Sequence, residues 1–178
     1  NADAFRNAIT MDMAIGCSTN SVLHLIAIAS EAGVKIDLDL FNEVSAITPH
    51  LCKISPAVFH HMEDLYRAGG VQALFNELSK RKLINGDVMT VTGSTVKENI
   101  AGTPVLDYEV IRPLDNPYNA SGGLAVLFGN LAPEGAVVKK GAVAQEMMQH
   151  QGPARVFDNE EDAVEAILKQ KIKTGDVI

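Results

Sequence analysis

The stretch Gly102-Thr103-Pro104 separates two parts of different character in this 178-residue sequence. Glycine and proline interrupt regular elements, so this run predicts a loop. Before it, apolar residues recur at three- and four-residue spacing, as in Val71-Gln-Ala-Leu-Phe-Asn-Glu-Leu78, which is typical of amphipathic helices. After it, that periodicity stops. The sequence therefore predicts an α+β chain, with a mainly helical part over residues 1–104 and a β-rich part over residues 105–178.

Turn signals divide the first part into helices. The predicted helices cover 4–13, 20–32, 60–67 and 71–81, with one further turn at 96–100. Another short helix is capped by Asp37 or Asp39 and ended by Pro49. Pro56 opens a further segment, which leads into the helix at 60–67. The second helix is apolar on most faces, which predicts a buried helix with His24 as a hydrogen-bonded core residue. Gly33 is placed for its left-handed C-cap.

Alternating and β-branched runs predict the strands. They cover 88–92, 108–112, 124–128, 136–139 and 154–157, and 174–178 has the pattern of a further strand. Asp158 and Glu161 form a predicted capping box for a last helix that buries one apolar face. Between two strands, Gly129-Asn-Leu-Ala-Pro-Glu-Gly135 predicts a tight connector, which is either a plain hairpin or the frame of a site.

Charge and composition exclude several classes of protein. Fifteen basic against 22 acidic residues give a net charge of −7, which disfavours nucleic acid as a partner. The longest apolar run has about eight residues, too few to span a membrane. Cys17 and Cys52 have no metal-ligand spacing, so we expect free, buried or half-buried thiols in a reducing cytoplasm.

Gly16-Cys17-Ser18-Thr19-Asn20 lies directly before the most apolar helix. Small polar residues at a helix N-terminus suit a carboxylate or a phosphate. The alternative is simple capping by Ser18 or Thr19. A helix N-terminus also lowers the pKa of a thiol, but no base is identifiable for Cys17, so we do not expect a nucleophile there. His60-His61 cannot chelate one metal ion together, because adjacent residues of a helix point about 100° apart.

Five stretches, in the same order, resemble the dihydroxy-acid dehydratases, a family of iron–sulfur hydro-lyases that includes 6-phosphogluconate dehydratase. Together they extend over nearly the whole chain. They are Ala14-Ile-Gly-Cys-Ser-Thr-Asn-Ser-Val-Leu-His-Leu25, Met62-Glu-Asp-Leu-Tyr-Arg-Ala-Gly-Gly-Val71, Val110-Ile-Arg-Pro-Leu-Asp-Asn-Pro117, Gly129-Asn-Leu-Ala-Pro-Glu-Gly-Ala-Val-Val-Lys139 and Gly152-Pro-Ala-Arg-Val-Phe-Asp158.

The resemblance implies dehydration of a 2,3-dihydroxy carboxylate to a 2-keto acid in branched-chain amino-acid synthesis. It also implies an iron–sulfur cluster that acts as a Lewis acid, a magnesium ion and a serine base. The family motifs that supply these groups are missing from this sequence. We therefore expect an internal section, inactive alone, with no catalytic residue, no metal ligand and no cofactor of its own. It would comprise the helical end of the N-terminal α/β domain and the start of the β-rich swivelling domain.

Two sets of residues are the candidate sites. Ser18, Thr19 and Asn20 are the candidates for receiving the substrate carboxylate, and Asn130, Pro133 and Glu134 form a candidate domain-interface loop. The resemblance further implies a small-molecule dihydroxy-acid substrate and a homo-oligomer, and we expect the protein in the cytoplasm. Alternatives are a sugar-acid dehydratase, such as 6-phosphogluconate dehydratase, and a cluster-free module that binds a small acid.

Overall fold

The structure, a computed structural model, describes residues 1–55 and 60–178; the segment opened by Pro56 lies outside them. The described residues divide into two compact units, Asn1–Ala142 and Val143–Ile178. The elements of the first unit are α1 (Ala2–Ile15), α2 (Asn20–Glu31), α3 (Leu38–Ile47), α4 (Met62–Arg67), α5 (Gly70–Ser79), α6 (Val96–Ile100), β1 (Ala125–Gly129), β2 (Ala132–Val138) and a 3₁₀ turn at Lys140–Ala142. The second unit contains a 3₁₀ turn at Gln145–Met147 and α7 (Glu160–Leu168).

Helix α1 contributes to both apolar clusters of the first unit. The larger cluster surrounds α4, α5 and α6 and includes Leu51, Cys52, Leu65, Leu74, Leu78 and Ile111. The smaller one joins α1, α3 and β1 and consists of Ile9, Met13, Val22, Phe41, Val44, Leu124 and Val126. Neighbouring residues on α1 serve different clusters: Met11 and Ala14 pack into the first, and Ile9 and Met13 into the second. The buried stretch of α1 is therefore the centre of the unit.

Strands β1 and β2 form an antiparallel hairpin with Val126 opposite Val137. A register irregularity between Leu127 and Gly129 precedes the turn. The hairpin is attached to α3 by the side-chain amide of Asn42, which donates to the Val126 carbonyl at 2.9 Å and accepts from the Val126 N–H at 2.9 Å. Because Val138, at the end of β2, pairs with Ala125, this attachment also places the C-terminal end of β2 near α3.

The α+β class is confirmed, and so are the helices, because their end signals are local. Asp37 accepts from the Leu40 N–H at 3.0 Å and caps α3. Gly33, which follows the C-cap residue Ala32 of α2, has the predicted left-handed conformation with a φ of +67°. The predicted helices 4–13 and 71–81 are observed at Ala2–Ile15 and Gly70–Ser79. The predicted single turn at 96–100 is α6, which Thr95 caps.

Four of the predicted strand segments are wrong. Segment 88–92 contains one isolated bridge, Met89 to Thr95, because Gly93 turns the chain back at a φ of +79°. Segment 108–112 is a turn in which the Ile111 N–H donates to the Asp107 carbonyl at 3.1 Å. Segments 154–157 and 174–178 share a single parallel bridge, Ala154 to Val177, and neither forms a strand. The strand at 124–128 is confirmed as β1, and β2 starts earlier than predicted.

Helix α2 is much more exposed than its sequence predicts. Of its residues only Val22 and Ala29 are buried, whereas Leu23 is 64% and Ile28 57% exposed. His24 is exposed too, so its prediction as a core histidine is wrong. The physical reason is that the described residues cover one side of α2, chiefly through α1.

In the second unit, α7 starts one residue later than predicted. Asn159, rather than Asp158, is the N-cap, and its side chain accepts from the Asp162 N–H at 2.8 Å. Ala166 is the buried residue of α7, while Leu168 is 77% exposed, so the predicted burial of this apolar face is wrong. The predicted domain boundary at residue 104 lies within the first compact unit and stays a prediction.

Candidate functional site

A cleft of about 520 Å³ opens where α1 ends and α2 begins. Its volume lies in the range of small-molecule sites. The described residues that line it are Ile15, Gly16, Cys17, Ser18, Thr19, Ile54, Ser55, Met62 and Lys139. Two of the three residues predicted to receive a carboxylate, Ser18 and Thr19, thus border this cleft. Asn20 is exposed at the start of α2 and is outside the lining.

The turn between the two helices is held by close backbone approaches. Gly16 ends α1 with a φ of +66° and donates its N–H to the Asp12 carbonyl at 2.9 Å. A Cβ atom on Gly16 would lie 2.5 Å from Nε2 of His50, and one on Gly123 would lie 2.5 Å from the Gly16 Cα. Only glycine fits at such separations. The turn therefore has a fixed position against His50 and against Gly123, which precedes β1.

Asp12 anchors the start of α2 from inside α1. Its carboxylate is buried, and the Ser21 hydroxyl lies 2.8 Å from both of its oxygens. Burial raises the pKa of the Asp12 carboxyl above its usual value, although hydrogen bonds from Ser21 and Cys17 and the charge of Lys139 oppose the shift. Sequence analysis missed Asp12. The available signal was an acid inside the apolar run of α1.

Cys17 has the chemistry of a hydrogen-bond donor. Burial, together with the neighbouring Asp12 carboxylate, raises the pKa of its thiol to about 12. The thiol therefore stays protonated at neutral pH beside the Asp12 carboxylate. This agrees with the expectation that Cys17 is not a nucleophile, and it outweighs the effect of the adjacent helix N-terminus.

Ser18 performs the capping that the sequence offered as an alternative. Its hydroxyl accepts from the Asn20 N–H at 3.2 Å, and its carbonyl accepts from the Ser21 N–H at 3.0 Å. The Thr19 side chain makes no capping bond to the helix, and Thr19 is half-buried at the cleft. As far as the described residues go, the Thr19 hydroxyl is not used in capping, while that of Ser18 is partly engaged.

Lys139 brings positive charge to the cleft from the hairpin. It directly follows β2, and its ammonium is close enough to influence Asp12, Cys17 and His50. The ion pairs found among the described residues do not include it. Sequence analysis did not select Lys139, because nothing in the chain next to it indicates that the hairpin returns to α1.

The second predicted set lies at the opposite end of the hairpin. Asn130 and Leu131 form the two-residue turn, and Pro133 and Glu134 belong to β2, so the connector is shorter than predicted. Asn130, Pro133 and Glu134 are exposed and do not line the cleft. Seven residues of β2 separate the turn from Lys139, a length of about 23 Å.

Comparison with known proteins identifies the family. The protein-family model described as dihydroxy-acid/6-phosphogluconate dehydratase N-terminal matches residues 1–99, and the corresponding C-terminal family model matches residues 109–178. The chain belongs to this dehydratase family. Both expected parts of the family fold are therefore represented in this chain.

Curated relatives of the chain are named dihydroxy-acid dehydratase. The protein of Acetivibrio thermocellus is 61% identical over 175 residues, which are 98% of this chain and 32% of the relative. That of Caldicellulosiruptor saccharolyticus is 61% identical over 176 residues, and that of Moorella thermoacetica 60% over 177. Each of these last two alignments covers 99% of this chain and 32% of the relative. The chain thus spans about a third of the length of these relatives.

The metal groups that the dehydratase resemblance implies do not fit the side chains in the part of the chain that the structure describes. There, no three His, Cys, Asp or Glu side chains come together in a group able to hold a metal ion. Cys17 and Cys52 are free, and His61 stands at the start of α4, where its N–H donates to Asp64 at 2.7 Å. Within the described residues, no helix combines the length and hydropathy needed to cross a membrane.

Proposed function

We propose that this chain is a section of a hydro-lyase that dehydrates 2,3-dihydroxy carboxylic acids to 2-keto acids in branched-chain amino-acid biosynthesis. The observation that carries the proposal is about 60% identity, over nearly the whole chain, to proteins named dihydroxy-acid dehydratase. The reaction removes the C3 hydroxyl and the C2 proton as water, and the resulting enol becomes the 2-keto acid. The iron–sulfur cluster and magnesium ion take their ligands from outside this segment.

The test is an assay of the full-length protein with two substrates. A branched 2,3-dihydroxy carboxylate and 6-phosphogluconate are supplied separately, and the 2-keto acid formed is measured. We expect turnover of the branched acid and little of the phosphorylated sugar acid. The reverse preference would support the sugar-acid dehydratase alternative. Binding without any turnover would support the cluster-free module. The 178-residue chain assayed alone is expected to be inactive.

Within that enzyme, Ser18, Thr19 and Asn20 help to receive the substrate carboxylate. The support is geometric: Ser18 and Thr19 border the cleft, and the Thr19 side chain is not used in capping. The double variant Thr19→Ala/Asn20→Ala of the full-length enzyme is expected to raise KM about tenfold, the cost of one or two hydrogen bonds. Ser30→Ala, exposed near the other end of α2, is the control. Unchanged turnover and KM in the double variant would disprove this role.

Asn130, Pro133 and Glu134 form a domain-interface loop in the full-length enzyme. The support is their exposure around the hairpin turn, where Leu131 is 96% exposed. The variant Asn130→Ala/Glu134→Ala is expected to lower turnover with little change in the stability of residues 1–142. Full-length hydrogen exchange measures the contact directly. Equal exchange of residues 129–135 in the full-length protein and in the isolated chain would contradict it.

The assembled enzyme is a homo-oligomer in the cytoplasm that acts on a small molecule. The family resemblance supports the assembly, and the reducing compartment suits the two free thiols. Light scattering on the purified full-length protein is expected to give a mass of at least two subunits, and cell fractionation is expected to place it with the soluble fraction. A monomer would contradict the first expectation, and membrane association the second.

A further inference from the structure

The backbone on both sides of Lys139 is fixed. Val137 and Val138 pair with β1 opposite Val126 and Ala125. On the other side, the Gly141 N–H donates to the Gly123 carbonyl at 2.9 Å, and the Ala142 N–H donates to the Lys139 carbonyl at 2.9 Å. The start of the Lys139 side chain is therefore held in one place beside the cleft.

Lys139 also has no competing use in the described part of the chain. Of the described residues that line the cleft, it alone carries a charge. The nearby carboxylate of Asp12 is already bonded to the Ser21 hydroxyl and forms no ion pair with the lysine. The next residue differs, because the Lys140 ammonium donates to the Ser121 hydroxyl at 2.7 Å. An unpaired ammonium in a cleft attracts an anion.

The remaining lining divides by chemistry. Ser18, Thr19 and Ser55 contribute hydroxyl groups, whereas Ile15, Ile54 and Met62 contribute aliphatic surface. A cation with hydroxyl groups suits a carboxylate, and the aliphatic surface suits a short hydrocarbon tail. A second charged group on the ligand would find no opposite charge among the described lining residues.

We propose that Lys139 binds the carboxylate of the substrate and that Met62 and its aliphatic neighbours contact the branched tail. This rests on the proposed function, and it deepens it: the cleft selects a small monocarboxylic acid with an apolar end. Lys139 is then a binding residue that positions the substrate through its ammonium, and it performs no proton transfer.

The first test compares Lys139→Met, Lys139→Arg and Lys140→Met in the full-length enzyme. Loss of a charge-assisted bond to the substrate is expected to raise KM about 10- to 100-fold in Lys139→Met while kcat changes little. Lys139→Arg is expected to restore part of the affinity, and Lys140→Met to behave as wild type. An unchanged KM in Lys139→Met, or the same rise in Lys140→Met, would overturn the proposal.

A second measurement works even if Lys139→Met unfolds or the enzyme turns out to be inactive. Calorimetry compares binding of a branched 2-hydroxy acid and of its primary amide to the wild-type full-length protein and to Lys139→Arg and Lys139→Gln. We expect wild type and Lys139→Arg to prefer the acid and Lys139→Gln to lose that preference. Equal binding of acid and amide by wild type would refute the role of Lys139. Absence of dehydration by the wild-type enzyme would instead refute the proposed function.

The aliphatic wall has its own test. Met62→Ala is expected to reduce the preference for a branched over an unbranched dihydroxy acid several-fold in kcat/KM, because the tail then buries less apolar surface against this wall. Met89→Ala, at an exposed position outside the cleft, is the control. An unchanged preference in Met62→Ala would show that Met62 does not contact the branched tail.

Discussion

The two compact units bury the apolar faces of their helices to different extents. In Asn1–Ala142, apolar faces meet in two clusters, and Phe41, Leu74 and Ile111 are almost completely buried. In Val143–Ile178, α7 also has an amphipathic pattern, but Ala166 is its one buried residue, and Leu168 is 77% exposed. An amphipathic pattern thus predicts that a helix forms, but burial of its apolar face depends on how many other elements reach it.

The largest expected difference between the units comes from core truncation. Phe41→Ala is expected to reduce the free energy of unfolding of the first unit by about 3–5 kcal/mol, through lost burial and a cavity. Tyrosine fluorescence in urea monitors this unit alone, because all three tyrosines lie within residues 1–142. Leu168→Ala is the matched change in α7 and is expected to cost less than about 1 kcal/mol by hydrogen exchange of the α7 amides. Similar losses in both would break the comparison.

A smaller effect is expected at the backbone contact below the cleft. Gly123→Ala places a Cβ atom 2.5 Å from the Gly16 Cα, which cannot move like a side chain. We expect a loss of about 1–3 kcal/mol by urea unfolding. Gly129→Ala is the control, since its Cβ atom would meet nothing within 4 Å. A neutral Gly123→Ala would show that the close approach is not maintained in solution.

Removal of a helix cap is expected to reduce the stability of both units by a similar amount. Asp37→Ala and Asn159→Ala each remove a side chain that accepts from a backbone N–H, of Leu40 and Asp162 respectively. Each change is expected to cost about 1 kcal/mol, because a cap acts within one turn whatever packs around it. Hydrogen exchange at the first turns of α3 and α7 measures both. A much larger loss in the first unit would mean that capping is coupled to the core.

The smallest effect is a dependence on pH that only the first unit should show. Burial lowers the pKa of His50 below its ordinary value of 6.5. The unfolded chain then binds more protons than the folded one, so stability falls as the pH drops below 6.5 and levels off below the folded pKa. The urea midpoint by tyrosine fluorescence, measured from about pH 7.5 to 5, is expected to decrease.

His50→Asn provides the comparison for that experiment. Asp12 contributes the opposite slope, because burial raises its pKa and favours folding at lower pH. The difference between wild type and His50→Asn therefore isolates the histidine. A wild-type slope no steeper than that of His50→Asn would contradict the assignment to His50.

The sequence predicts correctly those features that depend on residues close together in the chain. Asp37, Gly33 and the turn at Gly16 fix helix ends locally, and Ser18 and Thr19 were selected because they start a helix. Strand pairing is not local. The β-branched run at 88–92 has the composition of a strand, but the described chain returns at Gly93 and leaves it one bridge.

The same distinction explains the site. Lys139 reaches the cleft through contacts remote in sequence, such as the bond of 2.9 Å from the Gly123 N–H to the Met13 carbonyl. Asp12 matters because Ser21 and Cys17 surround it after the turn is made. No pattern around either residue encodes these meetings, so the sequence predicts one wall of the cleft and misses the charged one.

Asn42 has a consequence for how the hairpin behaves towards other chains. A two-stranded sheet offers unpaired amides along its outer side, and such edges recruit strands from other molecules. At Val126 the side-chain amide occupies both the donor and the acceptor, as a neighbouring strand would. A polypeptide trying to extend the sheet along β1 would have to displace it first. One asparagine thereby protects this sheet edge against self-templated growth.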